Sequence, residues 1–269
     1  MRLARQPCCA YHGAEARRVT AERGVNQHGA KVFVSASSLP LQCSALAILV
    51  IGYAILSRYL PKWVALLLAT TKALIPFLYF GLVFPNGGWT LYDDVRYFDV
   101  GAATLEMGYR PWELIVEPEG RDLVSGMATS RHTLYYVWNA AAQSIIGNYY
   151  YAPVFCNVAL TFIVGGLMFR ILKLLDFPDR YAQLALIFHM LHWDYLSWTS
   201  MINVKETLVE ALIVVSLYGI IRFARRGSWP SLLFVAGSFL MLFSLRLYIP
   251  FLIMAATAVW VLSQWNDPR

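Results

Sequence analysis

Residues 63–84 read WVALLLATTKALIPFLYFGLVF, an apolar run with a single charged side chain, Lys72. Roughly 20 apolar residues in an α-helix cross the hydrocarbon core of a bilayer, so this run is long enough to span it. Similar apolar runs occupy residues 41–57, 151–171, 181–200, 207–223, 229–244 and 247–263. We therefore predict an all-α fold, a polytopic transmembrane helical bundle with about six or seven spans.

The composition agrees with a membrane protein. Hydrophobic residues make up 58% of the 269 residues, whereas soluble domains contain about 45–50% apolar residues. Aromatic residues reach 15%, which fits belts of Trp and Tyr at the two membrane interfaces. The net charge of +6 comes partly from the N-terminal residues, and we predict no nucleic-acid partner. The four cysteines show no zinc-type spacing.

The sequence divides into four parts. Residues 1–40 are polar and Arg-rich, and we predict that they are disordered; a transit peptide or a start codon assigned too far upstream would look the same. Residues 41–84 form a first apolar hairpin. Residues 85–147 form a long external loop with interfacial helices, because residues 132–147 are amphipathic. Residues 148–265 form the transmembrane helical bundle.

The first candidate site lies directly after the run at residues 63–84. Residues 89–99 read WTLYDDVRYFD and place Asp93 and Asp94 just outside the membrane. Either acid suits a general base or a metal ligand, so both are predicted catalytic residues. Adjacent side chains on a helix diverge by about 100°, so one of them is expected to matter far more. The alternative is that they cap a helix starting near Val95 and interact with its dipole.

The distribution of basic residues predicts the orientation of the loops. Short loops around Lys173 and Arg225 are basic, and such loops lie preferentially in the cytoplasm. The acidic loop at residues 85–131 would then be periplasmic or lumenal. The basic N-terminal segment conflicts with this orientation, because two spans before the loop would place it outside as well.

Two basic residues are predicted to bind a phosphate at the same depth as the acids. Lys205 opens the run at residues 207–223, and Arg246 interrupts the C-terminal apolar stretch. Arginine suits bidentate phosphate recognition. The alternatives are a capping box formed by Asn203 and Glu206, and snorkelling of Arg246 to the interface.

Further polar residues are predicted to line a cavity near these groups. They are Glu206, His192, Asp194 and Tyr248. Glu210 is an additional candidate, because an acid inside a span usually has a function. His189 and His192 lie three residues apart, but no third metal ligand is close in sequence, so a metal site stays undecided.

Several segments together resemble a known family. Residues 93–111 read DDVRYFDVGAATLEMGYRP, and further similarity comes from residues 132–136, 146–148, 157–160 and 200–209. In order and spacing they resemble the polytopic C-superfamily (GT-C) glycosyltransferases, among them the protein mannosyltransferase-like and lipid A aminoarabinose transferase-like enzymes. The resemblance covers about residues 63–262. Members of the family usually have one helix before the external loop and more helices in total.

The resemblance implies a function. A polyprenyl-phosphate sugar would be the donor, and a lipid, glycan or protein would be the acceptor. Asp93 or Asp94 matches the acid of the family's first external loop, and the reaction would occur on the non-cytoplasmic face of an inner, plasma or ER membrane. No cofactor is certain, since only some members use a divalent metal. The alternatives are a polysaccharide polymerase, a transporter of lipid-linked sugars and a truncated, non-catalytic member.

Overall fold

The computed structural model describes residues 39–83, 92–127 and 132–265. Of residues 1–40, which were predicted to be disordered, 1–38 lie outside the described residues, whereas Leu39 and Pro40 belong to the first helix. The described part contains helices and no β-strand. The helices are α1 Leu39–Leu56, α2 Lys62–Leu78, α3 Tyr92–Glu106, α4 Glu113–Val116, α5 Pro118–Met127, α6 Thr133–Ile146, α7 Tyr151–Leu174, α8 Asp179–Leu191, α9 Trp193–Leu196, α10 Trp198–Met201, α11 Glu206–Arg226, α12 Pro230–Phe243 and α13 Tyr248–Trp265.

The prediction of an all-α fold with membrane-spanning helices is confirmed in this coarse form. Four helices of the described part are long and apolar enough to cross a membrane. They are Leu39–Leu56, Lys62–Val83, Tyr151–Leu174 and Glu206–Arg226. Two further apolar helices, Pro230–Phe243 and Tyr248–Ser263, are shorter.

The run at residues 181–200 does not form the continuous helix that its composition predicts. Helix α8 ends at Leu191, and His192 adopts an extended backbone with ψ 136°. The chain then forms the two single-turn helices α9 and α10 before α11 begins. Polar side chains of this stretch form hydrogen bonds with α11: the Tyr195 hydroxyl donates to Glu210, and the Thr199 and Thr207 hydroxyls lie 3.1 Å apart.

Helices α1 and α2 form a hairpin that packs against α7. Pro76 lies inside α2, where it has no N–H to donate. The helix widens a few residues later into a π-helical turn over Tyr79–Val83, a common accommodation of a disturbed helical ladder.

The basic loops lie together at one end of the helical bundle. Arg225 forms an ion pair with Asp176 at 3.3 Å, so the α7–α8 turn and the end of α11 lie together. Gln183 donates to the carbonyl of Tyr59 at 3.0 Å, and the Arg170 guanidinium lies 5.8 Å from the Tyr59 ring. The turn between α1 and α2 therefore belongs to the same end.

Helices α3 and α6 pack closely at the opposite end. A Cβ atom on Gly101 would come within 2.9 Å of the backbone nitrogen of Ala140, so the two helices touch backbone to backbone. Helix α6 buries most of one face, including Tyr135, Tyr136 and Asn139. The segment predicted as an external loop is thus largely helical where it is described, and it holds the first turn of α3 against the start of α11.

Candidate functional site

A cavity of about 560 Å³ opens where α3, the α8–α11 connection and the start of α11 meet. This volume lies within the range of small-molecule sites. The lining residues are Asp93, Asp94, Tyr97, Asp194, Tyr195, Trp198, Thr199, Asn203, Val204, Lys205, Glu206, Thr207 and Glu210. Five carboxylates and one ammonium therefore face one space, together with two aromatic side chains from α9 and α10.

The two adjacent aspartates have different environments, as their divergence on a helix predicts. Asp93 is exposed, whereas Asp94 is only 2% exposed. The Asp94 carboxylate accepts hydrogen bonds from the Tyr150 hydroxyl and from the backbone N–H of Val95, the latter at 2.7 Å. The amide contact matches the helix-terminus role considered for these acids, although α3 begins at Tyr92 rather than near Val95. Of these two aspartates, Asp93 is the one whose carboxylate is exposed to a ligand in the cavity.

Asn203 holds the cavity wall together. Its amide donates to the carbonyl of Asp94 at 3.2 Å and to the side-chain oxygen of Asn139 at 2.6 Å, and it accepts from the Tyr135 hydroxyl at 2.7 Å. Asn157 extends the network by donating to the Tyr135 hydroxyl at 3.0 Å. The capping-box alternative is wrong, because α11 begins at Glu206 without a side-chain cap.

Lys205 projects into the cavity from the residue before α11. It is 8% exposed, and its ammonium donates to the Tyr97 hydroxyl at 2.9 Å. Burial lowers the pKa of the Lys205 ammonium, and the nearby Glu206 carboxylate partly opposes this shift. Burial also raises the pKa of the Tyr97 phenol, which therefore stays protonated. An anion entering the cavity would find a cation that is already poorly solvated.

Arg246 lies beside the cavity rather than in its lining. Its guanidinium forms an ion pair with the Glu206 carboxylate at 2.7 Å. After burial, which is the main cause, the charge of Arg246 also lowers the pKa of the Lys205 ammonium. An anion bound to Lys205 would compete with Glu206 for Arg246.

Glu210 also lines the cavity, one turn, about 6 Å, along α11 from Glu206. Its carboxylate accepts a hydrogen bond from the Tyr195 hydroxyl. The Lys72 ammonium reaches across from α2 and donates to the backbone carbonyl of Tyr195 at 2.7 Å. Lys72 thus holds in place the segment that carries Tyr195.

The structure brings together some of the predicted site residues and separates others. Asp93, Asp94, Asp194, Lys205 and Glu206 all line the cavity. His192 and Tyr248, which were also predicted to line it, do not. The Nδ1 atom of His192 lies 3.7 Å from the Asp194 carboxylate, and Tyr248 is 57% exposed at the start of α13.

Several residues of the lining could not be predicted from the sequence, among them Tyr97, Tyr195, Trp198 and Asn203. The same holds for Tyr150, which donates a hydrogen bond to Asp94. Their aromatic rings look like interfacial belt residues in the sequence. The tyrosines at residues 149–151 and the polar residues interrupting the run at residues 181–200 were the available signals.

The described residues contain no group of three or more His, Cys, Asp and Glu side chains that could hold a metal ion. These residues therefore offer no ligand set for the divalent metal that the sequence left undecided.

No protein-family model, no curated protein and no solved structure matches this chain. The interpretation of the cavity rests on its own residues.

Replacing Asn203 by alanine is expected to destabilise the fold. The side chain is fully buried, and its loss leaves the Asn139 oxygen without that donor. Each buried polar group that loses its partner costs about 1–3 kcal/mol. We expect a clearly lower melting temperature of the purified protein in detergent. Asn148→Ala is the matched control, because Asn148 is exposed; equal melting temperatures for both variants would contradict the proposed role of the network.

Proposed function

We propose that this protein is an integral membrane glycosyltransferase that moves a sugar from a polyprenyl-phosphate donor to an acceptor on the non-cytoplasmic face. One observation carries the proposal: Asp93 and Lys205 lie 112 positions apart in the sequence and line the same cavity. A carboxylate base and a phosphate-binding cation are the two groups that this reaction requires. The resemblance of residues 93–111 to the GT-C glycosyltransferases supports the same assignment. We also propose that the chain crosses the membrane six or seven times.

The proposed reaction is a direct displacement. Asp93 accepts the proton of the acceptor hydroxyl while the acceptor oxygen forms a bond to the anomeric carbon of the sugar. The bond between that carbon and the phosphate oxygen breaks, and its electron pair leaves with the polyprenyl phosphate. Lys205 and Arg246 stabilise the negative charge on the departing phosphate. Asp94, being buried and bonded to Tyr150, positions the first turn of α3.

A polysaccharide polymerase would use the same groups and differs only in its acceptor. A transporter is less well supported, because transporter sites lie near the bilayer midplane between broken helices. Here the cavity lies at the ends of α3 and α11.

A transfer assay tests the proposed function. Membranes containing the full chain are incubated with undecaprenyl phosphates carrying radiolabelled hexoses or pentoses. We expect label to move into a lipid, glycan or protein fraction only when the chain is present. Equal transfer by membranes without the chain, for every donor, would refute the proposal.

The proposed orientation predicts that Glu119 faces the non-cytoplasmic side. Glu119 is exposed on α5, at the end opposite the basic loops. In a chain whose native cysteines are replaced, Glu119→Cys should react with an impermeant maleimide in intact cells. Ser228→Cys, between α11 and α12, should react only after lysis. The reverse pattern would invert the topology.

A further inference from the structure

The Lys205 ammonium is held by the hydroxyl of a tyrosine. It donates to the Tyr97 hydroxyl at 2.9 Å and lies 5.4 Å from the centre of the Tyr97 ring. The carboxylate next to it in the chain, that of Glu206, forms its ion pair with Arg246 at 2.7 Å. A hydroxyl accepts a hydrogen bond without carrying a negative charge, so this contact fixes the ammonium without neutralising it.

We propose that Tyr97 is a positioning residue of the cavity, which fixes the Lys205 ammonium for contact with the phosphate of the donor. Tyr97 acts through Lys205 and needs no contact of its own with the substrate. The inference rests on the proposed function for the identity of the ligand, whereas the contact between the two side chains can be tested without any ligand.

The Tyr97 ring is firmly held and therefore suits this role. It is 4% exposed, and it packs against Tyr135 and Tyr136 with ring centroids 4.9 and 5.2 Å apart. Both contacts are edge-to-face, a favoured arrangement of aromatic rings. A lysine ammonium, by contrast, sits on a flexible stem, so the fixed hydroxyl supplies the order that the Lys205 side chain lacks.

The same aromatic cluster also restrains the backbone beside Lys205. The Tyr135 hydroxyl donates to the side-chain oxygen of Asn203 at 2.7 Å, and Asn203 lies two positions before Lys205 in the chain. The contacts of Tyr97 and Tyr135 therefore act on both ends of the lysine, its ammonium and its backbone. A group that is ordered before the ligand arrives loses less conformational freedom when it binds.

Tyr97 also connects the cation with the proposed base. Asp93 and Tyr97 lie four positions apart on α3, so their side chains share one face of the helix, and both line the cavity. The side chain that fixes Lys205 thus lies one helical turn from the carboxylate that accepts the proton. This arrangement fixes the cation relative to the base, and the rate of a reaction that uses both groups depends on such placement.

The substitution Tyr97→Phe tests the contact, because it keeps the ring and removes only the hydroxyl. The purified full chain in detergent is treated with acetic anhydride, and the acetylation rate of each lysine is measured by mass spectrometry. We expect Lys205 to react roughly 10-fold faster in the variant, because its ammonium loses one hydrogen bond to a charged group. Lys72, which is 1% exposed, should react at an unchanged rate.

Tyr218→Phe is the matched control. The Tyr218 hydroxyl also accepts a hydrogen bond from a basic side chain, that of Arg222 at 3.3 Å, but it lies outside the cavity lining. This variant should leave the acetylation of Lys205 unchanged. An unchanged rate at Lys205 in Tyr97→Phe would overturn the inference. So would an equal increase at Lys205 and Lys72, which would indicate a general loosening of the fold.

The transfer assay tests the consequence for the reaction. Tyr97→Phe should lower the transfer rate roughly 10- to 100-fold, the usual effect of one hydrogen bond to a charged group, and should raise the KM for the donor more than that for the acceptor. Because Tyr97 acts through Lys205, the double variant Tyr97→Phe/Lys205→Ala should be no slower than Lys205→Ala alone. A further loss in the double variant would show that Tyr97 acts independently and would contradict the positioning role.

The two measurements separate this inference from the proposed function. If the unmodified chain transfers no sugar but Tyr97→Phe accelerates the acetylation of Lys205, the proposed function is wrong, whereas the positioning of Lys205 by Tyr97 is upheld. If the unmodified chain transfers sugar and Tyr97→Phe retains the full rate, only the positioning role is wrong.

Discussion

Replacing Asp93 by asparagine should reduce the rate of sugar transfer by about 10²- to 10⁴-fold, the usual contribution of a positioned general base. The carboxamide has nearly the same shape but cannot accept the acceptor's proton. Because Asp93 is exposed in the cavity, the substitution should leave expression and the melting temperature unchanged. The measurement is the transfer rate at saturating donor, alongside thermal denaturation of the purified variant.

Two further variants sharpen this prediction. Asp122→Asn changes an exposed acid on α5 and should transfer at the unmodified rate. Asp94→Asn should lower both the rate and the melting temperature, because an asparagine has one acceptor oxygen for the two donors, the Val95 N–H and the Tyr150 hydroxyl, that the carboxylate now accepts. Full turnover by both Asp93→Asn and Asp94→Asn would refute the loop-acid mechanism, and loss confined to a stably folded Asp94→Asn would transfer the base role to Asp94.

Removing the ammonium of Lys205 should be comparably damaging. Lys205→Ala should lower turnover by about 10²- to 10³-fold, as the loss of one preorganised stabilising group does elsewhere, and should weaken donor affinity more than acceptor affinity. Arg246→Ala should have a smaller effect, since its guanidinium already forms an ion pair with Glu206. Arg246→Lys should rescue only partly, because lysine lacks the planar fork.

A donor titration of each variant provides the measurement. Lys173→Ala is the control, since Lys173 forms its ion pair with Asp179 at the opposite end. A structural role for Lys205 and Arg246 would lower the melting temperature and leave the donor kinetics unchanged. Unchanged donor kinetics in both alanine variants would end the phosphate-clamp hypothesis.

Several residues of the candidate site could be predicted from the sequence, but their arrangement around one cavity could not. Asp93, Asp94, Lys205 and Glu206 were predicted because charged residues beside apolar runs stand out. Their meeting in one cavity was a hypothesis, since sequence spacing contains no information on which helix ends face each other. His192 and Tyr248 were placed in the lining by the same reasoning, and the fold directs them elsewhere.

The sequence by itself determined the helical class and four candidate spans, because the length of an apolar run is a local property that can be compared directly with the thickness of a bilayer. It also determined that Asp93 and Asp94 would differ, because adjacent positions on a helix point apart. Only the tertiary structure decided which acid is buried, why the run at residues 181–200 breaks after Leu191, and what Asn203 does. Those outcomes depend on partners distant in sequence: the Asn203 amide reaches Asp94 across 109 positions and Lys72 reaches Tyr195 across 123. A buried polar group must find its partner wherever the fold supplies one, and no local pattern records that choice.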